Sequence, residues 1–213
     1  MKPLKRVKIK WSPKFAYAIG LITADGSLSK DGRHISFVSK GIEMIINFQK
    51  CLGVTCKVSK KSSGSNKNKV YHVVQIGDIN FYNFLLSIGL VPNKSKVIKK
   101  VKVPEKFFFH FLRGYFDGDG SFYSYFDPRW KSSLMFYTTF SCASKVYIRW
   151  LQETIRKKLG IYGHIVKSAK NSAYQLRYAK TESLKLLQNL YLNARVSLTR
   201  KRLKIEKVLS VMK

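Results

Sequence analysis

The feature that most constrains this chain is a nine-residue pattern that occurs twice. Ala18-Ile19-Gly20-Leu21-Ile22-Thr23-Ala24-Asp25-Gly26 and Leu112-Arg113-Gly114-Tyr115-Phe116-Asp117-Gly118-Asp119-Gly120 are each an apolar helical stretch ending in a small residue, an aspartate and a glycine, 94 positions apart. Self-similarity at a fixed separation sets an architecture before any local reading does, so two similar halves are expected. Ala16, Gly20 and Ala24 fall four apart on one helix face, as do Gly114 and Gly118. Small residues at that interval let two helix backbones approach closely, which would bring Asp25 and Asp119 side by side.

A carboxylate at the carboxyl end of a helix faces the negative end of the macrodipole, and two such groups together also repel. A divalent cation reverses the sign of that cost, because hard cations take carboxylate, carbonyl and water oxygens. Three of the eleven acids in the chain lie in these two motifs. One Asp-Gly pair is an ordinary helix-ending turn. The second copy, again with a small residue before it and Gly-Ser after it, argues for more. The Asp117 segment is not a calcium loop, which would need glycine at 122 and glutamate at 128, where the chain has Phe122 and Pro128.

The 213 residues, 45% hydrophobic, suffice for one core or for two of about 100 residues each. A net charge of +30, from 41 Lys and Arg against 11 Asp and Glu, disfavours a compact state unless a polyanion is the usual partner. Nucleic acid leads, although ribosomal proteins, RNA chaperones and binders of anionic membranes share the excess. No run of about 18 apolar residues is present, and MKPLKRVKIKW lacks the apolar core of a secretory signal. The expectation is therefore an intracellular, unsecreted protein, bacterial cytoplasm and organelle matrix both remaining open. Cys51, Cys56 and Cys142 read as small buried hydrophobes, and with His34, His72, His110 and His164 scattered, no zinc site is expected.

Ser12-Pro13 has the form of an N-cap followed by proline at the first helical position, starting a helix over 13–24. There follow a strand over 34–40, a helix over 42–52, strands over 54–61 and 70–77 around the turn-rich 62–66, and a helix over 79–88. The second half reads as a helix from Pro104 to Gly118, strands over 121–125 and 134–142 around the loop 127–130, a helix over 145–159, a hairpin of 162–169 and 173–180, and a helix over 182–192. Both halves have the order α-β-β-α-β-β-α. The junctions Cys51-Leu52-Gly53-Val54 and Lys158-Leu159-Gly160-Ile161 strengthen the match. Residues 198–213 form a last, basic helix.

With both motifs, the repeated order of elements and the Gly-Leu-Val-Pro-Asn-Lys-Ser stretch at 89–95, nearly the whole chain resembles the LAGLIDADG homing endonucleases of the single-chain, two-motif kind. The resemblance implies an α+β fold of tandem halves, 1–100 and 101–213, related by a pseudo-twofold axis. Each half would carry a four-stranded antiparallel sheet laid along a DNA major groove, and the motif helices would form the interface. It also implies that the last acid of each motif, Asp25 and Asp119, binds catalytic divalent metal. The first motif departs from the pattern in having Thr23 where the second keeps Asp117, which bears on a helix-end contact and not on the metal-binding acids.

Strand alternation then divides the sheets. Phe136 and Phe140 should face the helices, leaving Met135, Tyr137, Thr139 and Ser141 outward; Tyr174, Leu176 and Tyr178 are core candidates, with Gln175 and Arg177 on the groove side. The first half offers Ser36, Lys57, Ser59, Lys61, His72 and Gln75, the faces of His72 and Gln75 being open. Arg and Gln suit base edges, Lys and Ser mostly phosphates. Phe107, Phe108, Phe109, Phe111, Tyr115 and Phe116 fall in a helical pattern and read as core, not as a base-stacking platform. The loops 60–69 and 126–132 are further candidate DNA contacts.

The implied activity is site-specific cleavage of both strands of a long asymmetric duplex by divalent-metal-activated water, leaving short 3′ overhangs. Mg2+ is the expected metal, with Ca2+ or Mn2+ able to substitute in vitro, held by Asp25 and Asp119 with the carbonyls of Ala24 and Gly118. By position in the repeats, Lys94 and Lys201 are candidate catalytic lysines, with Lys96 a competitor of Lys94 and plain phosphate anchoring the alternative role. The expected partner is double-stranded DNA bound by a monomer, with no membrane. Alternatives on the same scaffold are an intron RNA maturase and a catalytically silent DNA-binding regulator.

Overall fold

Ser12 opens the first helix as the sequence predicts: its Oγ accepts a hydrogen bond from Phe15 N (3.1 Å) and Pro13 takes the first helical position. In a computed structural model that describes residues 5–62, 70–168, 172–191 and 193–211, this helix, α1, runs Pro13–Asp25 and is buried without a break from Phe15 to Thr23. A helix apolar on every side belongs inside a core, and α1 is packed accordingly. The chain divides into two compact units, Met1–Lys94 with Val101–Gly118, and Ser95–Lys100 with Asp119–Lys213.

In the first unit α1 leads into a four-stranded antiparallel sheet with the order β1-β2-β4-β3, formed by β1 Gly26–Leu28, β2 His34–Ser39, β3 Ser59–Ser62 and β4 Val70–Gly77. Leu28, Ile35, Phe37, Val74 and Ile76 point to one face and are buried. Phe37 stacks there on Phe48 of α2 (Ile42–Leu52), with ring centroids 4.4 Å apart. Helix α3 (Ile79–Ser87) completes the half, capped by Asp78, whose Oδ1 accepts from Phe81 N (2.9 Å). Of the six aromatic residues expected as core around residue 110, Phe108, Phe111, Tyr115 and Phe116 are buried, while Phe107 and Phe109 are only half-buried.

After the short helix α4 (Lys94–Val97) and helix α5 (Phe108–Asp119), the second unit repeats the plan with β5 Gly120–Asp127, β6 Trp130–Cys142, β7 His164–Lys167 and β8 Tyr174–Tyr178 in the order β5-β6-β8-β7. Helices α6 (Lys145–Leu159) and α7 (Lys180–Tyr191) support this sheet, and α8 (Thr199–Ser210) ends the described chain. The matching glycine junctions end α2 and α6 alike: Gly53 (φ 67°) and Gly160 (φ 65°) are both left-handed, a conformation that costs other residues about 1 kcal/mol or more.

Several sequence boundaries need correction. The fourth strand of the first half is Gly26–Leu28, paired with Ile35–Phe37, directly after the motif aspartate. The strand expected over 54–61 is reduced to Ser59–Ser62; upstream, Cys56 N–H takes a helix side chain instead of a ladder, donating to Gln49 Oε1 (2.5 Å). The helix expected from Pro104 starts as a 3-10 turn, Glu105–Phe107, before α5. The loop at 126–132 is a tight turn in a long hairpin: Asp127 Oδ1 accepts from Arg129 N (2.9 Å), an Asx turn with proline between. The last hairpin is shorter than read, and Lys180 belongs to α7, since Ser183 N already donates to Ala179 O (2.7 Å). Only Cys51 of the three cysteines is buried; all are free thiols. Residues 63–69 of the candidate contact loop, Ala169, Leu192 and the last two residues lie outside the described residues, as do the side chains of Lys131 and Ser132. Among the described residues no helix is long and apolar enough to cross a membrane.

Candidate functional site

The stripe of small residues does what its spacing predicts. A Cβ placed on Gly20 would overlap the carbonyl oxygen of Phe111 and lie 2.7 Å from Tyr115 N, and one on Gly114 would overlap Tyr17 O and lie 3.2 Å from Gly20 Cα. Helices α1 and α5 thus cross with backbone against backbone at Gly20 and Gly114. Toward their carboxyl ends, a Cβ on Gly118 would overlap Ala24 Cβ and sit 2.9 Å from Asp25 Oδ2. The half-buried Asp25 carboxylate therefore occupies space that any side chain at 118 would fill.

Asp25 is the last residue of α1, and the next backbone N–H, that of Gly26, donates to Ile22 O. Lys94 is 93% buried; its Nζ donates to Gly26 O and to Ala24 O, the latter at 3.4 Å. Asp119 likewise is the last residue of α5. Lys201, at the start of α8, donates from Nζ to Gly120 O (2.5 Å), and Lys204, one turn on, donates to Phe122 O (2.9 Å). In each unit a lysine ammonium thus seats on the carbonyl of the glycine that follows a motif acid. An ammonium there offers positive charge to the end of a helix whose last carbonyls lack partners. It also covers the open edge of a sheet, since β1 and β5 are edge strands.

The first acid of the second motif has a different setting. Asp117 is fully buried and accepts the Tyr17 hydroxyl at 2.6 Å. Burial, reinforced by that carboxylate, pushes the Tyr17 phenol far above its ordinary value, so it stays a donor. The buried Arg113 guanidinium lies 5.6 Å from the Tyr17 ring centroid and approaches His110 Nδ1 at 3.1 Å. Burial, and secondarily Arg113, lowers the His110 pKa. Thr23, the first-motif counterpart of Asp117, turns back on its own helix and donates to Ile19 O (2.7 Å). The sequence assigns no role to Tyr17 or Arg113, which would have needed a pairing between helices 100 residues apart.

Register fixes the outward faces of the two sheets. In the first, Ser36 stands opposite Gln75, Ser59 opposite Val73 and Lys61 opposite Tyr71, all with one parity. His72 has the other parity, opposite the buried Ser39 and Lys60, so it leaves the outward set. Lys57 is exposed but precedes β3. In the second sheet Tyr137, Thr139, Ser141, Gln175 and Arg177 share the outward parity, Arg177 donating to Gln175 Oε1 (2.6 Å). Thr139 is nevertheless 2% exposed: it is a short side chain on an inner strand, directly between Ser121 and Arg177. Alternation missed its exposure because it gives direction and not height. The same face carries a ladder that the sequence reading left out, Tyr123 stacked on Tyr137 (5.1 Å, 13°) and Tyr125 near-parallel to Tyr137 (6.3 Å, 4°).

The donors at the motif ends, a carboxylate beside main-chain carbonyls, are hard oxygen ligands of the kind that Mg2+, Ca2+ and Mn2+ take. Gly118, by lacking a Cβ, admits the Asp25 carboxylate at this helix end. The residues therefore fit such an ion. Among the described residues no group of three or more His, Cys, Asp or Glu side chains forms a conventional cluster.

Comparison with known proteins agrees with this architecture. No curated protein sequence matches the chain. Among solved structures, full-length DUF199/WhiA from Thermatoga maritima superposes with TM-score 0.60 at 16% identity, over 98% of this chain and 64% of that one, so the chain spans about two thirds of that protein's length. The homing endonuclease I-WcaI bound to its DNA recognition sequence gives 0.64 at 12% identity, over 92% and 88%. I-DmoI in complex with DNA and Mn gives 0.53 at 15% identity, over 86% and 98%. At these identities the likeness is one of fold. The family described as LAGLIDADG-like domain matches residues 12–89 and 107–190, most of the chain and both motifs. The protein belongs to the LAGLIDADG-like domain family.

Proposed function

We propose that the chain is a divalent-metal-dependent endonuclease that binds double-stranded DNA as a monomer and cuts both strands at a specific, asymmetric target, leaving short 3′ overhangs. We take 1–100 and 101–213 as its two repeats. One observation carries the reading: acid, following glycine carbonyl and lysine ammonium recur in the same arrangement as Asp25-Gly26-Lys94 and as Asp119-Gly120-Lys201. The fold alone does not carry it, since DUF199/WhiA shares that fold.

In this reading Asp25 with the Ala24 carbonyl, and Asp119 with the Gly118 carbonyl, hold Mg2+. When bound, the ion supplies Lewis-acid polarisation of the scissile phosphate and activates water for in-line attack. Asp25 and Asp119 orient the oxygen ligands and offset the ion's charge. Lys94 and Lys201 hold fixed positive charge beside each helix end, where it opposes charge building on the phosphate oxygens. The outward faces, Ser36, Ser59, Lys61 and Gln75 in one unit and Tyr137, Ser141, Gln175 and Arg177 in the other, contact base edges and phosphates.

The test uses Asp25→Asn and Asp119→Asn with a library of randomised duplexes. Both variants should bind duplex in Ca2+ as the wild type does and release no cut product in Mg2+. Cutting at the wild-type rate by either variant would remove these acids from the reaction.

A further inference from the structure

The basic segment ahead of α1 is fixed to the first unit by a single carboxylate. Arg6 N and Val7 N both donate to Asp78 Oδ2 (2.8 and 3.0 Å), while Asp78 Oδ1 caps α3 and Asp78 N donates to Arg33 O (3.1 Å). Asp78 is 1% exposed and Val7 4%, so this junction is part of the core. It anchors the backbones of Arg6 and Arg33 to the same residue.

Their side chains meet over an open cleft of about 320 Å3 lined by Arg6, Arg33, His34, Gln75 and Gly77. Both arginines are exposed, and among the described residues neither guanidinium has a hydrogen bond or an ion pair. The nearby acids are engaged: Asp78 by main-chain N–H groups, and Asp31 by His34 Nδ1 (2.5 Å) and by the N–H groups of Arg33 and His34. His34 lies over Gly77, where an added Cβ would come 3.3 Å from its Nε2. Gln75 brings an amide from the outward face of the sheet. Two unpaired forks and an amide around one cleft, in a chain of charge +30, describe a receptor for a tetrahedral oxyanion.

We infer that Arg6 and Arg33 form a phosphate site that takes one backbone phosphodiester of the bound duplex, making the segment 5–10 part of the DNA footprint. The oxyanion chemistry stands on the cleft itself; the duplex as its source rests on the function proposed above. Neither arginine belongs to the cutting machinery, so the site acts on affinity and register.

Two readouts on the full chain test this. Inorganic phosphate, titrated at low ionic strength and followed by the His34 ring resonances, should give a saturable shift that weakens at least tenfold in Arg6→Ala/Arg33→Ala. For a random-sequence duplex in Ca2+, the same variant should lower the slope of log affinity against log salt by about 0.9, the value for one phosphate contact. Arg6→Lys/Arg33→Lys should keep that slope and lose affinity, because lysine keeps the charge without the fork. Arg149→Ala/Lys157→Ala on α6 controls for net charge.

A slope unchanged in the Arg6/Arg33 variant, or lowered equally by the α6 control, overturns the site while leaving the nuclease reading intact. A wild-type phosphate shift without any duplex binding assigns the cleft to free phosphate; it overturns the duplex source together with the proposed function.

Discussion

Replacing Gly114 by alanine tests the helix crossing on which the first unit is built. The new Cβ would overlap Tyr17 O and lie 2.9 Å from Tyr17 C. These are backbone atoms inside a helix, so no rotamer change removes the clash. Restoring ordinary contact requires α1 and α5 to separate by roughly 1 Å, a gap that forfeits a quarter to a half of each dispersion contact across it. Overpacking of this kind costs about 1–3 kcal/mol. The same movement stretches the buried Tyr17–Asp117 hydrogen bond, and a bond to a charged acceptor contributes about 1.5–3 kcal/mol. Alanine returns about 1 kcal/mol of helix propensity. The expected net loss is on the order of 3 kcal/mol, read as a lower urea midpoint by far-UV circular dichroism. Gly53→Ala is the reference: Gly53 is left-handed with open space around it, so only conformational strain of about 1 kcal/mol is expected. A Gly114→Ala protein no less stable than Gly53→Ala would refute the close approach.

Tyr17→Phe should lose about 1–3 kcal/mol, since it leaves a buried carboxylate short of a donor, whereas Thr23→Val, which removes only a bond within one helix, should change stability by less than about 1 kcal/mol; equal effects would contradict the assigned contacts. Lys94→Ala and Lys201→Ala should each slow cutting by about 10²–10³-fold, the scale of one preorganised electrostatic contact, while duplex binding in Ca2+ holds; parallel losses of binding and cutting would reassign the lysines to a structural role. The hydrogen bond from His34 holds the Asp31 carboxyl well below the usual carboxylate range. A depressed folded pKa contributes stability above the unfolded value, near 3.9, that is lost as pH falls through the folded one. His34→Ala should therefore return the Asp31 titration, followed by NMR, toward its ordinary value, and an unmoved midpoint would contradict that cause.

What could be read from the sequence was whatever rests on local spacing. The Ser12 cap, the glycine ends of α2 and α6, the small-residue crossing of α1 and α5, and the choice of Lys94 and Lys201 as candidates all follow from short-range patterns or from the repeat; the glycine carbonyls those lysines close on do not. Features set by partners distant in sequence were not legible. β1 is three residues long, too short for an alternation signal, and exists because Ile35–Phe37 offers it an edge. Val54–Val58 has the composition of a strand yet stays outside the ladder, because Gln49 takes the Cys56 N–H. The face of His72 and the burial of Thr139 were not legible for the same kind of reason: parity depends on register, and exposure depends on the size of cross-strand neighbours.

The two units agree where they hold the acids and differ where they would meet DNA, and that contrast bears on what the molecule recognises. Lys94 comes from a short helix near the end of the first repeat and Lys201 from the start of a different helix near the end of the second, yet each closes on the carbonyl of the glycine after its motif acid. The outward face of the first sheet carries the short polar groups Ser27, Ser36, Ser59 and Gln75 alongside Val38, Val73 and Tyr71, with Lys61 at its end and no tyrosine stack among the ring contacts of its described residues. The second presents stacked tyrosines whose ring faces are turned toward one another, leaving edges and hydroxyls to project. Hydrogen-bonding amides and hydroxyls select among base-edge donors and acceptors, while apolar ring edges suit the thymine methyl. A protein with identical sheets would favour a palindrome; one with these two faces calls for half-sites of different composition, the tyrosine side richer in A·T pairs. Selection of bound duplexes from a random pool should recover that asymmetry, and a palindromic consensus would contradict it.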